Sequence, residues 1–299
     1  MRVTMTVNTR ILPQEFECLA PKTIHEAAQM LTQYGSDAKV VAGGTDLLVR
    51  MKQGLISPGY LILIMKIPEL ITITRDECLR IGAATRLCEV LNFCAADKKY
   101  AALSEALRSL GKVQVRNIAT IGGNLCNASP AADSAPPLLV FDCRVKLCSV
   151  EGERILKLEK FFKGVNVTTI APHEIMTEIQ IPSIQNGMGS AFTKITRVGA
   201  DISKMSCAVA VERRGDLCAS CRIAMGAVAP IPMRVRAAER IVTGKKVDVS
   251  VVEKLGQKVS EEINPITDIR STAEYRRKVT PVLFKDVFWR AWQRAGGKA

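Results

Sequence analysis

The chain has 299 residues, of which 47% are hydrophobic and 24% are charged, and its formal net charge is +13 at pH 7. These values are typical of a globular protein with one large or two ordinary domains, and they exclude intrinsic disorder. The longest strongly apolar run, residues 61–65, is far shorter than the roughly 20 residues that cross a bilayer, and residues 1–4 start no apolar signal segment. We therefore expect a cytoplasmic protein without a membrane span, whose ten cysteines are reduced thiols.

The basic charge is compatible with three kinds of partner: nucleic acid, acidic lipid or an acidic protein. The lysines and arginines lie in short scattered clusters, and the sequence contains no nucleic-acid fold signature. Only 5% of the residues are aromatic and available for base stacking. This distribution favours an acidic protein partner and argues against nucleic acid.

The N-terminal part of the chain is predicted to form a strand, a helix and a second strand. Residues 15–19 form the first strand, Thr23 can cap a helix that ends at Gly35, and residues 39–42 form a short buried strand. A Gly-Gly-Thr-Asp segment then stands at the carboxyl end of a strand, where ligand sites of α/β units tend to form. No G-x-G-x-x-G pattern is present, so these glycines do not predict the usual dinucleotide fold.

The middle of the chain is predicted to contain strands, then helices, then a hairpin. The expected elements are strands at residues 61–67, 71–74 and 78–82, helices around residues 87–94 and 103–110, and a hairpin of residues 144–150 and 154–158. Pro136 and Pro137 fit the first turn of a buried helix.

A domain boundary is expected near Pro172, after which the pattern changes to a meander and then to helices. The predicted strands are residues 178–182, 190–197, 207–212 and 217–228. The predicted helices are residues 234–242, 249–263 and 272–295, the last interrupted by Pro281.

Two segments with adjacent glycines carry the functional signal. The first contains Val40, Val41, Ala42, Gly43, Gly44, Thr45, Asp46 and Leu47, and the second contains Thr120, Ile121, Gly122, Gly123 and Asn124 and continues to Ser129 and Asp133. Glycine accepts positive φ and lets backbone N–H groups converge on an anion. One such pair is often only a turn, but two with this surrounding polarity predict a phosphate cradle.

Together the two segments resemble the flavin-binding signatures of the FAD subunits of molybdenum hydroxylases, the xanthine dehydrogenase and aerobic carbon monoxide dehydrogenase family. Further matches follow in order over nearly the whole chain, at residues 114–117, 161–162, 191–194, 226–230 and 275–276. The resemblance implies an α+β fold with a two-lobed FAD-binding domain of the PCMH/vanillyl-alcohol-oxidase type, followed by a C-terminal antiparallel sheet packed on helices. We assign residues 1–174 to the first domain, with lobes of about 1–57 and 58–174, and residues 175–299 to the second.

The resemblance also implies a set of FAD-binding residues. Backbone amides of residues 42–47 and 121–124 would bind phosphate oxygens, with side-chain hydrogen bonds from Thr45, Thr120, Asn124 and Ser129. Leu110 and Ile170 match positions that pack near the cofactor. Asp133 would bind ribose hydroxyls, with capping of the following helix as the alternative.

A lysine near residue 194 is expected to contact the flavin and to stabilise the anionic reduced ring. Lys194 is the first candidate, but a register shift of one residue would place Thr193 there. Lys204 is a further candidate, and a solvated surface role is the alternative for either lysine.

A chain with a flavin site but no molybdenum-binding domain and no four-cysteine cluster motif resembles the medium subunit of a three-part enzyme. The implied partners are a large subunit with the molybdenum cofactor and a small subunit with [2Fe-2S] clusters, assembled as a dimer of heterotrimers. FAD would receive electrons from the clusters and pass them to an acceptor such as NAD, so we expect no catalytic residue in this chain.

Two alternatives stay open at this point. A free-standing flavin-dependent oxidase or reductase of the same superfamily commonly attaches flavin through a histidine near the first Gly-Gly segment, which contains none. A cofactor-free interaction or nucleic-acid-binding protein with the same fold would be colourless.

No metal site is expected in this chain. It has only two histidines, and its C-x-x-C pattern, Cys218 and Cys221, lies in a predicted strand. Residues three apart in a strand point to opposite faces, which makes a poor chelate.

Overall fold

The computed structural model describes Leu12 and residues 14–296. The start of the predicted first lobe and the end of the predicted C-terminal domain therefore lie outside the described residues. Among the described residues, no helix combines the length and the apolar composition needed to cross a membrane.

The first lobe is a parallel sheet with a helix packed on it. Its strands lie in the order β1-β3-β2 and all run parallel. The elements are β1 (Glu17–Leu19), helix α1 (Ile24–Tyr34), β2 (Ala38–Val41), helix α2 (Leu47–Lys52) and β3 (Tyr60–Leu63). Leu31 of α1 and Ile62 of β3 share the core of this lobe.

Helix α1 begins and ends where the sequence predicts. The Thr23 hydroxyl accepts a hydrogen bond from the Glu26 amide at 3.1 Å, and Gly35 ends the helix with a φ of +54°. The apolar face is buried. The predicted strand, helix and strand are confirmed.

Strand β3 pairs with the strands of the first lobe. The sequence assigns residues 58–174 to the second lobe, but Tyr60–Leu63 pairs with both β1 and β2. A short apolar run shows that a strand is buried without showing which strands are its neighbours. We propose that the first lobe extends through β3.

The second lobe is a five-stranded antiparallel sheet covered by short helices. Its strand order is β4-β5-β10-β6-β7. The strands are β4 (Ile73–Arg75), β5 (Cys78–Gly82), β6 (Arg144–Ser149), β7 (Gly152–Lys157) and β10 (Ile175–Pro182), and β8 (Phe162–Gly164) and β9 (Val167–Thr168) form a separate ribbon. The helices are α3 (Leu87–Ala95), α4 (Ala101–Ser109), α5 (Val113–Arg116), α6 (Ile121–Cys126) and α7 (Ala135–Val140). The predicted β6–β7 hairpin and the helix with proline in its first turn are confirmed.

The C-terminal domain is a four-stranded antiparallel sheet backed by helices. Its strands follow one another in sequence order. They are β11 (Met188–Ile195), β12 (Met205–Arg214), β13 (Leu217–Gly226) and β14 (Met233–Arg234), and the helices are α8 (Arg236–Val242), α9 (Val249–Glu262) and α10 (Ala273–Arg294). With the two lobes, this arrangement confirms the predicted α+β class.

Strand β12 belongs to two cores at once. Ala208 and Ala210 lie in the core of the second lobe, whereas Cys207 and Val209 lie in the core formed with α8–α10. Successive side chains of a strand point to opposite faces, so the C-terminal sheet is a wall shared by both cores.

The predicted meander was wrong in its first strand. Residues 178–182 belong to β10, which pairs with β5 and β6 of the second lobe. The C-terminal sheet begins only at Met188. The boundary at residue 174 stays a prediction, and this pairing leads us to propose a boundary after Pro182.

The predicted interruption of the last helix at Pro281 was also wrong, because α10 continues through it. Proline has no amide to donate to the carbonyl four residues earlier, here that of Arg277. The Ser260 hydroxyl of α9 donates to this carbonyl at 2.9 Å instead. A neighbouring helix therefore supplies the hydrogen bond that proline removes.

Candidate cofactor site

A cavity of about 540 Å³ lies where the two lobes and the C-terminal domain meet. Its wall includes residues 40–47 of the first lobe, parts of residues 119–133 of the second lobe, and residues 200–202 of the C-terminal domain. Of the site residues predicted from the sequence, all except Ile121 and Lys194 lie on this wall. The two Gly-Gly segments thus share one cavity.

The first Gly-Gly segment leaves β2 as an irregular turn with exposed backbone donors. Gly44 has a φ of +68°, a conformation that favours glycine. The amides of residues 43–47 donate to no acceptor in the described part of the chain. Unpaired backbone amides in a turn form a concave site that attracts an anion.

Gly43 is required by a close approach between the two lobes. A Cβ at this position would lie 2.1 Å from the Ile118 carbonyl oxygen and 2.9 Å from Ala119 Cα. The contact is reinforced by Asn127 Nδ2, which donates to Asp46 Oδ1 at 3.1 Å. These contacts fix the first Gly-Gly segment against the second.

The second Gly-Gly segment is the short helix α6, and its amides already have acceptors. The Ile121 amide donates to Thr85 O at 3.1 Å and the Gly122 amide to Ala83 O at 2.9 Å. The Gly123 amide donates to the Thr120 hydroxyl at 3.1 Å, and the Asn124 amide to Thr120 O at 3.0 Å. These bonds close the first turn of α6 and attach it to residues 83–85, and phosphate binding by these amides stays a prediction.

Within α6, the adjacent residues have different surroundings. The Ile121 side chain is fully buried in the core of the second lobe, so the predicted contact of this residue with the cofactor would involve its backbone. A Cβ on Gly122 would lie 2.6 Å from the Ala83 carbonyl oxygen. Gly123 lies on the cavity wall, and only Thr120 Oγ1, at 2.9 Å, would be close to a Cβ added there. A side chain at Gly123 would therefore occupy cavity space.

The polar residues after Gly123 are ordered by local hydrogen bonds. Asn124 Oδ1 accepts from the Ser134 hydroxyl at 2.6 Å, which leaves the Asn124 amide nitrogen as a donor on the cavity wall. The Ser129 hydroxyl accepts from the Ala131 amide at 3.2 Å and also lies on the wall. Both side chains are thus oriented for polar contacts with a ligand.

Asp133 is a buried carboxylate with two direct partners. Lys194 Nζ lies 2.6 Å from its Oδ2, and the Ser203 hydroxyl donates to its Oδ1 at 2.7 Å. Burial raises the pKa of the Asp133 carboxyl, while Lys194 and Ser203 act in the opposite direction. Helix α7 receives no side-chain cap, so the capping alternative for Asp133 is wrong.

The structure separates the three candidates for a flavin-contacting residue. Lys194 is bonded to Asp133 and to the Asp201 carbonyl oxygen, behind the cavity wall. The Thr193 hydroxyl accepts from Arg290 of α10, on the other face of β11. Lys204 Nζ lies 5.5 Å from the centre of the Tyr275 ring. Lys194 thus contacts Asp133 and is not among the lining residues, and its contact with the flavin stays a prediction.

The apolar wall is larger than the sequence predicted. Leu110 and Ile170 lie on it as expected. Further lining residues that the sequence reasoning missed are Ile64, Val115, Cys126, Ile175 and Met176, together with Arg50 and residues 200–202. Burial raises the pKa of Cys126 to about 12, so its thiol stays protonated. Of these missed residues, only 200–202 could have been found from the sequence, because they follow the segment around Lys194 that resembles the family.

The cavity fits FAD in the groups that it presents. The unpaired amides of residues 43–47 suit a diphosphate, Gly123 leaves space beside α6, and Leu110 and Ile170 provide an apolar surface for the ring. The amides of residues 121–124 already have acceptors, so the unpaired backbone donors for a diphosphate lie in the first Gly-Gly segment.

The C-x-x-C cysteines lie on the same face, contrary to the prediction. The pairing of β12 with β13 shifts register after Glu212, which leaves Ala219 without a partner residue on β12. As a result, the side chains of Cys218 and Cys221 point into the same core. A hydrogen bond with Cys218 that favours the protonated thiol, together with burial, raises the pKa of Cys221. No group of three or more potential metal ligands is found within the described residues.

The comparisons with known proteins identify the family. Residues 14–184 match the family described as "FAD binding domain in molybdopterin dehydrogenase", and residues 190–291 match "CO dehydrogenase flavoprotein C-terminal domain". The chain belongs to the family of FAD-binding medium subunits of molybdenum hydroxylases. The predicted FAD-binding domain and the role as an oxidoreductase subunit are thereby confirmed.

Relatives of this medium subunit are similar over nearly their whole length. The glyceraldehyde dehydrogenase medium chain of Sulfolobus acidocaldarius is 32% identical, with 92% of this chain and 98% of that protein covered. The xanthine dehydrogenase FAD-binding subunit of Escherichia coli O157:H7 is 30% identical, with 92% and 96% covered. In the structure of carbon monoxide dehydrogenase from Hydrogenophaga pseudoflava, a chain superimposes with a TM-score of 0.92 at 32% identity, covering 95% of this chain and 99% of that one.

Proposed function

We propose that this medium subunit carries electrons from the [2Fe-2S] clusters of a small subunit to an acceptor such as NAD. The observation that supports the proposal is the cavity at the junction of three structural units, with unpaired amides on one wall and apolar residues on another. Bound FAD supplies a ring that accepts electrons one at a time and passes them on in pairs.

Different residues of the cavity are proposed to bind different parts of the cofactor. Amides of residues 43–47 bind the diphosphate, and the side chains of Thr45, Asn124 and Ser129 provide further hydrogen bonds. Asp133 accepts from ribose hydroxyls with the lone pairs that Lys194 and Ser203 leave available. Leu110 and Ile170 exclude water from the ring.

The partners are proposed to be a large molybdenum-binding subunit and the small iron–sulfur subunit, in a dimer of heterotrimers. The relatives are named medium chains or FAD-binding subunits of dehydrogenases. Those named for glyceraldehyde and xanthine are almost equally similar to this chain, which supports a substrate choice made in another subunit. The net charge of +13 suits an acidic partner surface.

The test is to co-express this chain with the proteins encoded beside it and to follow flavin absorbance anaerobically. We expect the organic substrate of the complex to bleach the flavin only when all subunits are present. Bleaching or turnover by the isolated chain would instead support a free-standing flavoenzyme. Dissociation of the complex at high salt would support the charge-based contact.

Whether NAD is the electron acceptor is tested in the same complex by the reverse reaction, the reduction of the flavin by NADH. If NAD is the acceptor, NADH added without oxygen bleaches the flavin. If NADH leaves the flavin oxidised while the substrate reduces it, the acceptor is another carrier.

A further inference from the structure

At the cavity wall, two oppositely charged side chains are buried together. The side chain of Lys194 is 6% exposed and that of Asp133 is 7% exposed, and their charged atoms lie 2.6 Å apart. The Ser203 hydroxyl, 2.7 Å from Asp133 Oδ1, completes the cluster. Charges removed from water in this way are tolerated only when they are paired and hydrogen-bonded.

The pair connects the second lobe to two segments of the C-terminal domain. Asp133 lies in the second lobe, and Lys194 lies in β11 of the C-terminal domain. Lys194 Nζ also donates to the Asp201 carbonyl oxygen at 3.0 Å, in the loop whose residues 200–202 line the cavity. The register of β11 with β12, in which Lys194 faces Ser206, fixes which side of the strand carries the lysine.

The other charged groups at the cavity do not replace either partner. The Glu174 carboxylate pairs with Arg154, and the Asp201 carboxylate pairs with Arg197. The remaining charged lining residues are Asp46 and Arg50. Among the described residues, Lys194 is the cation in direct contact with Asp133.

Of these two partners, only Asp133 lies on the cavity wall. With both partners charged, the pair presents no net charge to the cofactor. Removal of the lysine leaves a negative charge beside the cavity, and removal of the carboxylate leaves a positive one. In a buried site such a charge is weakly screened, so it acts on any group in the cavity that gains an electron.

We propose that Asp133 and Lys194 work as one neutral pair, in which Lys194 is a positioning residue that cancels the Asp133 charge and so prevents it from lowering the reduction potential of the flavin. The proposal rests on flavin binding in this cavity. It assigns to Lys194 a role that differs from direct contact with the ring.

The first test compares Lys194→Met, Asp133→Asn and the double variant in the full chain with its flavin. We expect the flavin midpoint potential to shift to more negative values in Lys194→Met and to more positive values in Asp133→Asn. The double variant should return close to the wild-type potential, because both charges are absent. Lys204→Met, which removes a lysine held over the Tyr275 ring, is the control and should leave the potential unchanged.

The second test uses the pH dependence of unfolding without flavin. The Asp133 pKa is raised in the folded state, so the contribution of this carboxyl to stability falls as pH rises from its ordinary range through the raised pKa. Loss of Lys194 raises the pKa of the Asp133 carboxyl further, so the decrease in stability continues to higher pH. The ratio of the unfolding constants of Lys194→Met and wild type should then grow with pH by up to about tenfold per pH unit within that window.

The same two tests can overturn the proposal. Shifts of the same sign in both single variants, or a double variant as shifted as Lys194→Met, would show that the residues do not act as a pair. An unfolding ratio that is constant with pH would show that Lys194 does not compensate Asp133. A wild-type chain that binds no flavin would contradict the proposed function, whereas the unfolding test would still decide whether the pair exists.

Discussion

Gly123 is the glycine whose replacement should act most directly on the cofactor. Its backbone φ is not in the left-handed region, but a Cβ there would lie 2.9 Å from Thr120 Oγ1, so a valine would also disturb the cap of α6, at a cost of about 1 kcal/mol. The side chain would enter the cavity, since only Thr120 Oγ1 lies near a Cβ at this position. We expect Gly123→Val to weaken flavin binding by tenfold or more, or about 1.4 kcal/mol.

The measurement is the ratio of flavin to protein absorbance after purification, together with a flavin titration of the apoprotein. Gly164→Val is the matched control, because this glycine of β8 also has ordinary φ, and a Cβ there would meet only Val167 at 3.9 Å. Full flavin retention by Gly123→Val would contradict the assignment of α6 to the cofactor wall.

The roles of the individual glycines in the two Gly-Gly pairs were predicted only in part. Sequence spacing correctly predicted that the segments meet, but it gave all four glycines one role. In the structure Gly44 adopts positive φ, while Gly43 and Gly122 approach the Ile118 and Ala83 carbonyl oxygens. These partners come from distant segments, so the pattern around each glycine does not contain them.

At the scale of elements, the N-terminus of α6 joins helix stability to cofactor binding. The Thr120 hydroxyl caps α6 by accepting from the Gly123 amide, and Thr23 caps α1 in the same way. Replacement of either threonine by alanine should lower the free energy of unfolding by about 1 kcal/mol. Only Thr120→Ala should also weaken flavin binding, because α6 forms part of the cavity wall.

Chemical denaturation and flavin titration of both cap variants check this prediction. Equal loss of flavin affinity in Thr120→Ala and Thr23→Ala would indicate a general effect of lower stability. Unchanged affinity in both would show that the cap of α6 does not shape the site.

Elements with strong local signals were predicted well. Helix α1 has a cap, an apolar face and a terminal glycine, and the β6–β7 hairpin has a tight turn. Strands β3 and β10 were recognised as strands but were grouped with the wrong neighbours, because pairing depends on distant segments. The prediction that Pro281 interrupts α10 was wrong for the same reason, since Ser260, which supplies the missing hydrogen bond, lies in another helix.

At the scale of the whole molecule, a buried ion-pair cluster joins the C-terminal domain to the second lobe. The Arg234 side chain is 3% exposed, and its guanidinium lies 2.7 Å from Asp142 Oδ1 and donates to Glu239 Oε2 at 2.7 Å. It also donates to the Leu139 carbonyl oxygen at 3.2 Å. Asp142 and Leu139 belong to the second lobe, so one arginine crosses the boundary between the domains.

We expect Arg234→Met to lower the free energy of unfolding by about 3 kcal/mol, because the buried Glu239 would keep only Arg236, at 3.7 Å, as a charged partner among the described residues. The two tryptophans of the chain, Trp289 and Trp292, both lie in α10 and report on the C-terminal domain. Flavin fluorescence reports on the cofactor cavity. The two signals should change together in the wild type and at different denaturant concentrations in Arg234→Met.

Arg214→Met, at a position whose side chain is 77% exposed, provides the control and should change stability by less than about 1 kcal/mol. Coincident transitions in Arg234→Met would show that other contacts suffice to couple the domains.

The position of β12 between two cores has a consequence for protein engineering. A cut between β10 and β11 would strip the lining from the second lobe and leave one surface of the C-terminal sheet bare. Neither fragment is then expected to fold into a stable unit. Chimaeras among these medium subunits should therefore transplant individual surface loops and keep β12 with both of its neighbours.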